Sequence, residues 1–390
     1  MNNYIEQVNA KVCLQEGPLV IEQLLVECFI QPGISTKELA RKVLLPVPVA
    51  TAVKKELIKA GALIQDRGVR CTYKGLSYIE NELGYDGLDK ALYQRLMTNE
   101  TDWKVELEGI LSLLTRLFQL RPQVNVQIDQ SKCTPETSLR RAILCLREHA
   151  LIGKKILCVG DDDLVSVSLG LLLNRLFPDK RNKNTMITVI DNDYRFLQYI
   201  LHINEREGLS INDLHMDLRQ LLPEYFHEQY DCFFTDPPYT LQGMSLFLSR
   251  GISALKKEKG FPIFLSFAHK SPDFMLALQH ELIHMSLSIK EIIVNFNEYE
   301  GAQMIGNKGQ MIVLQTTEST KPNIIGRFED AIYTGEVRQT IRTYQCKSCN
   351  RATLVGIQGD FPTIEALKNQ GCPVCNQNKF VLVKKQVRRK

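Results

Sequence analysis

The stretch KKILCVGDDDLVSVSLGLLL, residues 154–173, decides the fold. It opens as a buried strand and continues as an apolar helix, with a turn between them. Turns at this place in nucleotide-binding sheets are rich in glycine, because bare backbone N–H groups there hold anions. Here a single glycine, Gly160, is followed by Asp161, Asp162 and Asp163. One aspartate suffices to cap a helix and answer its dipole. Three adjacent carboxylates at a buried turn repel one another, and at least one pKa is expected to rise. Capping does not require that arrangement, so the turn reads as a site for positive charge.

Outward from this turn, residues 150–320 alternate strand and helix. Strands are expected at 155–159, 186–190, 211–215, 231–235, 262–267, 289–296 and 309–316, with helical patterns between most of them. That succession marks a parallel, doubly wound sheet. The last two runs have no helix-length segment between them and are expected to pair as an antiparallel hairpin. The fold class is therefore α/β, with a Rossmann-like core at 151–335 that ends in this hairpin.

Two smaller units flank the core. Residues 17–82 read as three helices and a hairpin, the pattern of a winged helix. Ser35 and Glu38 form a capping box, and Asp66-Arg67-Gly68 makes the hairpin turn. Lys54, Lys55 and Lys59 lie on the third helix and invite a DNA-binding reading. Lysines on a polar helix face are common, so dimerisation or cover for an active site is the preferred role. Residues 1–85 are assigned to this winged-helix domain and 86–150 to a helical connector. Residues 336–390 hold Cys346-x-x-Cys349 and Cys372-x-x-Cys375, two knuckles separated by 22 residues. Four thiolates at that spacing suit a closed tetrahedral site, so a zinc ribbon with structural Zn²⁺ is expected, iron being the alternative metal. The basic end KKQVRRK is expected to be disordered.

Composition narrows the class. The chain has 390 residues, 44% hydrophobic and 24% charged, with a net charge of +4. That balance is ordinary for a globular protein and does not single out nucleic acid. No leader pattern opens the sequence and no apolar run approaches the ~20 residues that span a bilayer. Eleven cysteines, seven of them scattered singly, fit a reducing, cytoplasmic setting.

Further acids follow the turn in order. Asp191 ends the second strand, where such folds bind ribose hydroxyls. Asp217 follows the third strand and is placed to meet an adenine amino group. The fourth strand ends in Asp236-Pro237-Pro238-Tyr239. Its two prolines fix a rigid turn, the Asp236 carboxylate and Pro237 carbonyl accept hydrogen bonds from an amine, and Tyr239 adds a ring face. That is a device for holding a nitrogen nucleophile in line with an electrophile.

The segments GDDDLVS, DPPYT, LFLSRGISALK and IDQSKCTPETSLRRA together resemble the branched-chain polyamine synthase family, from about residue 120 to 300. The resemblance implies a transferase core and an aminopropyltransferase activity. Its donor is decarboxylated S-adenosylmethionine, and its acceptor is the N4 secondary amine of spermidine, giving N4-aminopropylspermidine and N4-bis(aminopropyl)spermidine. The donor has a sulfonium and an ammonium but no carboxylate, so Asp161–Asp163 would welcome it and repel S-adenosylmethionine itself. One carboxylate with a raised pKa is expected to accept the amine proton: Asp163, with Asp162 as runner-up. Gly160, Asp191 and Asp217 are assigned to the donor. Asp161, Asp236, Pro237, Tyr239, Asp129, Glu298 and Tyr299 are assigned to the polyamine. The ribbon departs from the matched family pattern. A homodimer is expected, with no membrane partner and nucleic acid not favoured. The rival reading is an amino-methyltransferase acting on a nucleic-acid base, which shares the Asp-Pro-Pro-Tyr turn.

Overall fold

The computed structural model describes residues 3–98, 101–179, 184–300, 308–333, 336, 338–356, 359–361 and 363–389. The loop expected between the last two core strands (301–307) and the centre of the FPDKRNKN loop (180–183) lie outside the described residues.

The chain opens with α1 (Tyr4–Val12), α2 (Leu19–Ile30), α3 (Thr36–Lys42), α4 (Val47–Lys59), β1 (Leu63–Gln65), β2 (Val69–Cys71) and α5 (Tyr73–Asn81). Ser35 caps α3 by accepting from the Glu38 N–H at 3.1 Å, as its spacing predicts. β1 and β2 pair antiparallel across the Asp66–Gly68 turn. Then come α6 (Lys90–Met97), α7 (Trp103–Glu106), α8 (Glu108–Leu120), β3 (Lys132–Cys133) and α9 (Pro135–Arg147), the last capped by Thr134 with Pro135 in its first turn.

The core runs β4 (Lys155–Val159), α10 (Val165–Leu176), β5 (Met186–Asp191), α11 (Tyr194–Glu207), β6 (Ile211–His215), β7 (Cys232–Thr235), α12 (Leu241–Ala254), β8 (Pro262–Ala268), α13 (Pro272–His284), β9 (Leu287–Glu300) and β10 (Lys308–Thr316). All seven expected strands are present. The eight-stranded sheet has the order β3-β9-β10-β8-β7-β4-β5-β6. Strands β4 to β8 are parallel, and β10 is antiparallel to both β8 and β9. From β4 the chain builds outward through β5 and β6, then returns to place β7 on the other side of β4. The order therefore reverses between β4 and β7, and ligands of open sheets bind beyond the carboxyl ends at such a point.

Alternation along β4 assigns the two faces. Ile156 and Cys158 join an apolar cluster with α9, α10 and α11, while Leu157 and Val159 join another with α12 and α13. The first cluster continues without a break into the N-terminal helices, through Ile21, Leu24 and Leu25 of α2. Glu22 of α2 also meets the buried Lys154 at the start of β4, at 2.7 Å. The N-terminal unit thus shares a core with one face of the sheet.

The last segment folds as β11 (Arg338–Cys346), β12 (Ala352–Val355), α14 (Ile364–Gln370) and β13 (Phe380–Arg389), a three-stranded sheet in the order β12-β11-β13. The basic end, expected to be disordered, is instead strand β13, because it pairs with β11 from Arg338 opposite Arg389 to Cys346 opposite Phe380. Among the described residues, no helix is long and apolar enough to cross a membrane.

Candidate active site

β4 delivers Gly160 in the left-handed region (φ 77°), and its N–H donates to the Ile190 carbonyl at 2.8 Å. The helix that follows does not begin at the aspartates. Its first residue is Val165, preceded by Leu164 at φ 53°, a strained position for a side chain of that size. Asp161 supports that strain: its carboxylate accepts from the N–H groups of Val165 (2.7 Å) and Ser166 (3.1 Å). Burial lifts its pKa to about 7 against the hydrogen bonds from Ser166 and Val165. The expectation that Asp161 binds substrate is corrected accordingly, since its carboxylate is spent on the helix start.

Asp163 turns away from the cleft. Its carboxylate takes Arg141 Nη1 at 2.7 Å and the Cys133 N–H at 3.2 Å. Burial alone would raise its pKa, but the Arg141 guanidinium holds it below the usual carboxylate range. A buried, paired, low-pKa carboxylate is a poor proton acceptor, so the first choice for that role is corrected. Asp162, the runner-up, is half-buried and lines the cleft, with the Ser131 N–H 3.2 Å from one oxygen. Burial, and after it the charges of Asp163, Asp191 and Asp236, push its pKa well up.

The cleft opens beside the turns that follow β4, β5 and β7, at Gly160 and Asp162, Asp191 and Asn192, and Asp236 and Pro238. Four carboxylates line it: Asp129, Asp162, Asp191 and Asp236. Asp191 accepts from the Asp161 and Asp193 N–H groups at 2.8 and 2.7 Å, which fixes it at the end of β5. Leu218, Pro238, Phe247 and Tyr333 supply apolar walls.

Asp236 closes one end. Arg141 Nη2 donates to it at 2.9 Å, the Tyr299 hydroxyl at 2.6 Å and the Tyr239 hydroxyl at 3.0 Å. Burial raises its pKa to about 6, moderated by Arg141. Tyr239 and Tyr299 therefore act on Asp236 from behind and are not among the cavity walls; the wall of the turn is Pro238 and not Pro237.

Two expected residues lie elsewhere. The Glu298 side chain is exposed, 3.9 Å from Lys308, while its backbone anchors α9 through Thr134 and Thr137. Asp217 faces a neighbouring outer cavity with Arg219 and Glu336, where it accepts from the Arg219 N–H at 2.9 Å. Sequence reasoning missed Arg141, whose one signal is a charge at a buried position of α9 beside Ala142 and Cys145. It also missed Tyr333, for which no motif speaks.

The four cysteine sulfurs lie within 4.8 Å of one another, with Cys346–Cys375 and Cys349–Cys372 each 3.5 Å apart. Sulfurs bonded to one tetrahedral Zn²⁺ at ~2.3 Å stand about 3.8 Å apart, so the set fits such an ion. The N–H groups of Cys349 and Ser348 aim at Cys346 and lower its pKa to about 6. Those of Val374 and Cys375 lower that of Cys372.

A doubly wound sheet with an acidic crevice at its switch point is the core of a Rossmann-like transferase. The model of the branched-chain polyamine synthase A C-terminal domain matches residues 110–355. The chain belongs to the branched-chain polyamine synthase family. An N(4)-bis(aminopropyl)spermidine synthase of Methanocaldococcus jannaschii is 30% identical over 77% of this chain and 83% of its own length. An uncharacterized protein of the same organism is 36% identical over 98% of this chain and 93% of its own, a match that takes in the ribbon. The crystal structure of the branched-chain polyamine synthase from Thermus thermophilus, in complex with N4-aminopropylspermidine and 5'-methylthioadenosine, aligns with a TM-score of 0.50 and 21% identity. That alignment covers 85% of this chain and 96% of the other.

Proposed function

We propose that this protein moves the aminopropyl group of decarboxylated S-adenosylmethionine to the N4 amine of spermidine, and then to the same nitrogen of N4-aminopropylspermidine. The observation that carries this is the ring of Asp129, Asp162, Asp191 and Asp236 around one cavity at the switch point. Spermidine is a trication near neutral pH and the donor a dication, and an anionic cleft concentrates both. A relative 30% identical is an N(4)-bis(aminopropyl)spermidine synthase, and the family match covers the residues that form the cleft.

The reaction is an in-line displacement. The N4 lone pair attacks the carbon bonded to sulfur, the C–S bond breaks, and its electrons leave with 5'-methylthioadenosine. In each round the attacking nitrogen first gives up a proton. Asp162 is the acceptor. Burial, and after it the charges of Asp163, Asp191 and Asp236, raises its affinity for a proton above that of a free carboxylate, and bound polycations offset those charges and favour the ionised form that accepts the proton. Asp236, locked by Arg141, Tyr239 and Tyr299, orients the amine. Asp129 holds a terminal ammonium, and Asp191 a ribose hydroxyl of the donor. Leu218 and Tyr333 flank the nucleoside.

On this reading residues 1–85 form a winged helix that covers one face of the core and supports a homodimer. Residues 86–150 connect, 151–335 catalyse, and 336–390 form a ribbon stapled by Zn²⁺. Its thiols suit the reducing cytoplasm. The test is incubation with spermidine and either the decarboxylated or the intact donor, read by mass spectrometry. One and two added aminopropyl groups are expected from the first and no methyl transfer from the second. No added aminopropyl mass from the decarboxylated donor, or methyl transfer to spermidine from the intact one, would sink the proposal.

A further inference from the structure

The cysteine-bearing sheet is a second charged surface, opposite in sign to the cleft. Residues 338–390 hold eleven Lys and Arg against two Asp and Glu, a net of +9, so residues 1–337 carry −5 of the chain's +4. Four thiolates around a divalent metal, together −2, still leave this segment at +7. The modest whole-chain charge conceals that partition.

The positive charge is available. Lys347, Arg351, Lys368, Lys379, Lys384 and Lys385 are exposed, and among the described residues none of them forms an ion pair. Two of the three α4 lysines contrast with them. Lys54 is bonded to Thr36 and Gln65, and Lys59 is paired with Glu56. The strand register adds an energetic argument. Arg342 stands opposite Lys385. Like charges facing each other across a sheet destabilise it. A polyanion laid along β11 and β13 relieves that repulsion.

The form of the polyanion follows from what the sheet lacks. Single-strand binders offer aromatic rings for stacking bases. In the ribbon Tyr344 and Phe380 pack into its own small core with Val355, Phe361 and Leu367, and the large apolar residues exposed there are aliphatic: Leu354, Val374, Val381, Leu382 and Val383. Such a surface contacts phosphates and reads no bases.

We propose that the β11–β13 sheet docks the phosphate backbone of duplex nucleic acid, placing the acidic cleft beside a polymer that takes up a polycationic product. The proposal stands apart from the aminopropyl reading, because its test measures binding alone. Full-length, zinc-loaded protein is titrated against a fluorescein-labelled 30-base-pair duplex DNA of random sequence, and anisotropy is read across a salt series. Saturable binding at low salt that weakens steeply as salt rises is expected. Replacing Lys384, Lys385, Arg388 and Arg389 together with Gln should flatten the log–log salt slope by about 2, since alternate residues of a strand face opposite sides and one side meets the duplex, and weaken binding at least ~10-fold. Lys347→Gln with Lys379→Gln, in the knuckle loops, should flatten it by about 2 without touching a strand. Lys55→Gln with Lys59→Gln on α4 should change nothing. The idea is overturned by any of three results: no binding at 50 mM salt; binding unaffected by both ribbon variants; or capture by anionic phospholipid vesicles in place of the duplex.

Discussion

Arg141 Nη2 lies 2.9 Å from the carboxylate of Asp236, although 95 residues separate them in sequence. The same guanidinium reaches Asp163 at 2.7 Å, so one buried cation ties the acidic turn after β4 to the proline turn after β7. Arg141→Met leaves two buried carboxylates without their counter-charge, and a loss of ~3–5 kcal/mol is expected. Arg141→Lys keeps the charge but not the fork that serves both acids, and should fall between. Chemical denaturation of the three proteins measures this. A methionine variant as stable as the parent would show that the turns are held by something else.

The two central aspartates should separate cleanly. Asp162→Asn removes the group that faces the cavity and is expected to lower kcat ~10²–10⁴-fold while the protein melts normally. Asp163→Asn removes a partner of Arg141 and should act mainly on stability, again by ~3 kcal/mol or more. Turnover and melting temperature for both variants decide it. If Asp163→Asn melts normally yet loses turnover as Asp162→Asn does, the proton acceptor has been misassigned.

The parts legible in the sequence were those with a local cause. The strands followed from apolar runs bounded by turn residues, and the cysteine pairs from their spacing. Asp162 and Asp163 were not separable that way. Which neighbour points into the cleft is set by the φ of Leu164 and by Arg141 on another helix, and neither is a property of the turn's own letters. Tyr333 was invisible for the same reason, since a long-range fold-back brings it to the cavity. The basic end was misread because charge density suggested disorder, whereas the strand that opens at Phe380 continues through Arg389 opposite β11.

Proton linkage gives a third test. Asp161 has a folded pKa of about 7 against an ordinary value of 3.8, and that of Asp236 is about 6. Between about pH 4 and 7 the unfolded chain has lost these protons and the folded chain retains part of them. Stability without ligand should therefore fall as pH rises through that window and level off above it. Binding of a polycation draws the carboxyl protons off. Titration calorimetry with spermidine at pH 6.5, in buffers of different ionisation enthalpy, should report net proton release. Asp162→Asn should reduce that release. Heats independent of buffer would contradict the raised carboxyls.

Metal removal should act locally. The four sulfurs are within reach of one ion, and the small ribbon core of Val355, Phe361 and Leu367 is too slight to hold the segment alone. Under a strong chelator, limited proteolysis is expected to cut residues 338–389 first and leave the core intact. Cys346→Ser should do the same without chelator. A ribbon that resists protease after chelation would show that the cysteines do not hold a structural ion.

Tyr333 gives the last test. The segment between β10 and β11 returns over the cleft and is pinned there by three unlike contacts. Arg250, buried, donates to the carbonyls of Ile324 and Gly326; Thr240 donates to Ile332; and Glu336 takes Arg219 at 2.7 Å together with the N–H groups of Ile332 and Tyr333. This places the Tyr333 ring on the cavity wall, with the Arg219 guanidinium 5.2 Å from its centre. A ring that only packs against the nucleoside serves ground state and transition state alike, so its loss acts on KM. Tyr333→Ala is expected to raise KM for the donor up to about tenfold at nearly constant kcat. Tyr333→Phe should behave as the parent, and Glu336→Gln, which loosens the segment, should fall between. An alanine variant that lowers kcat and leaves KM unchanged would place Tyr333 at the reacting end of the cleft.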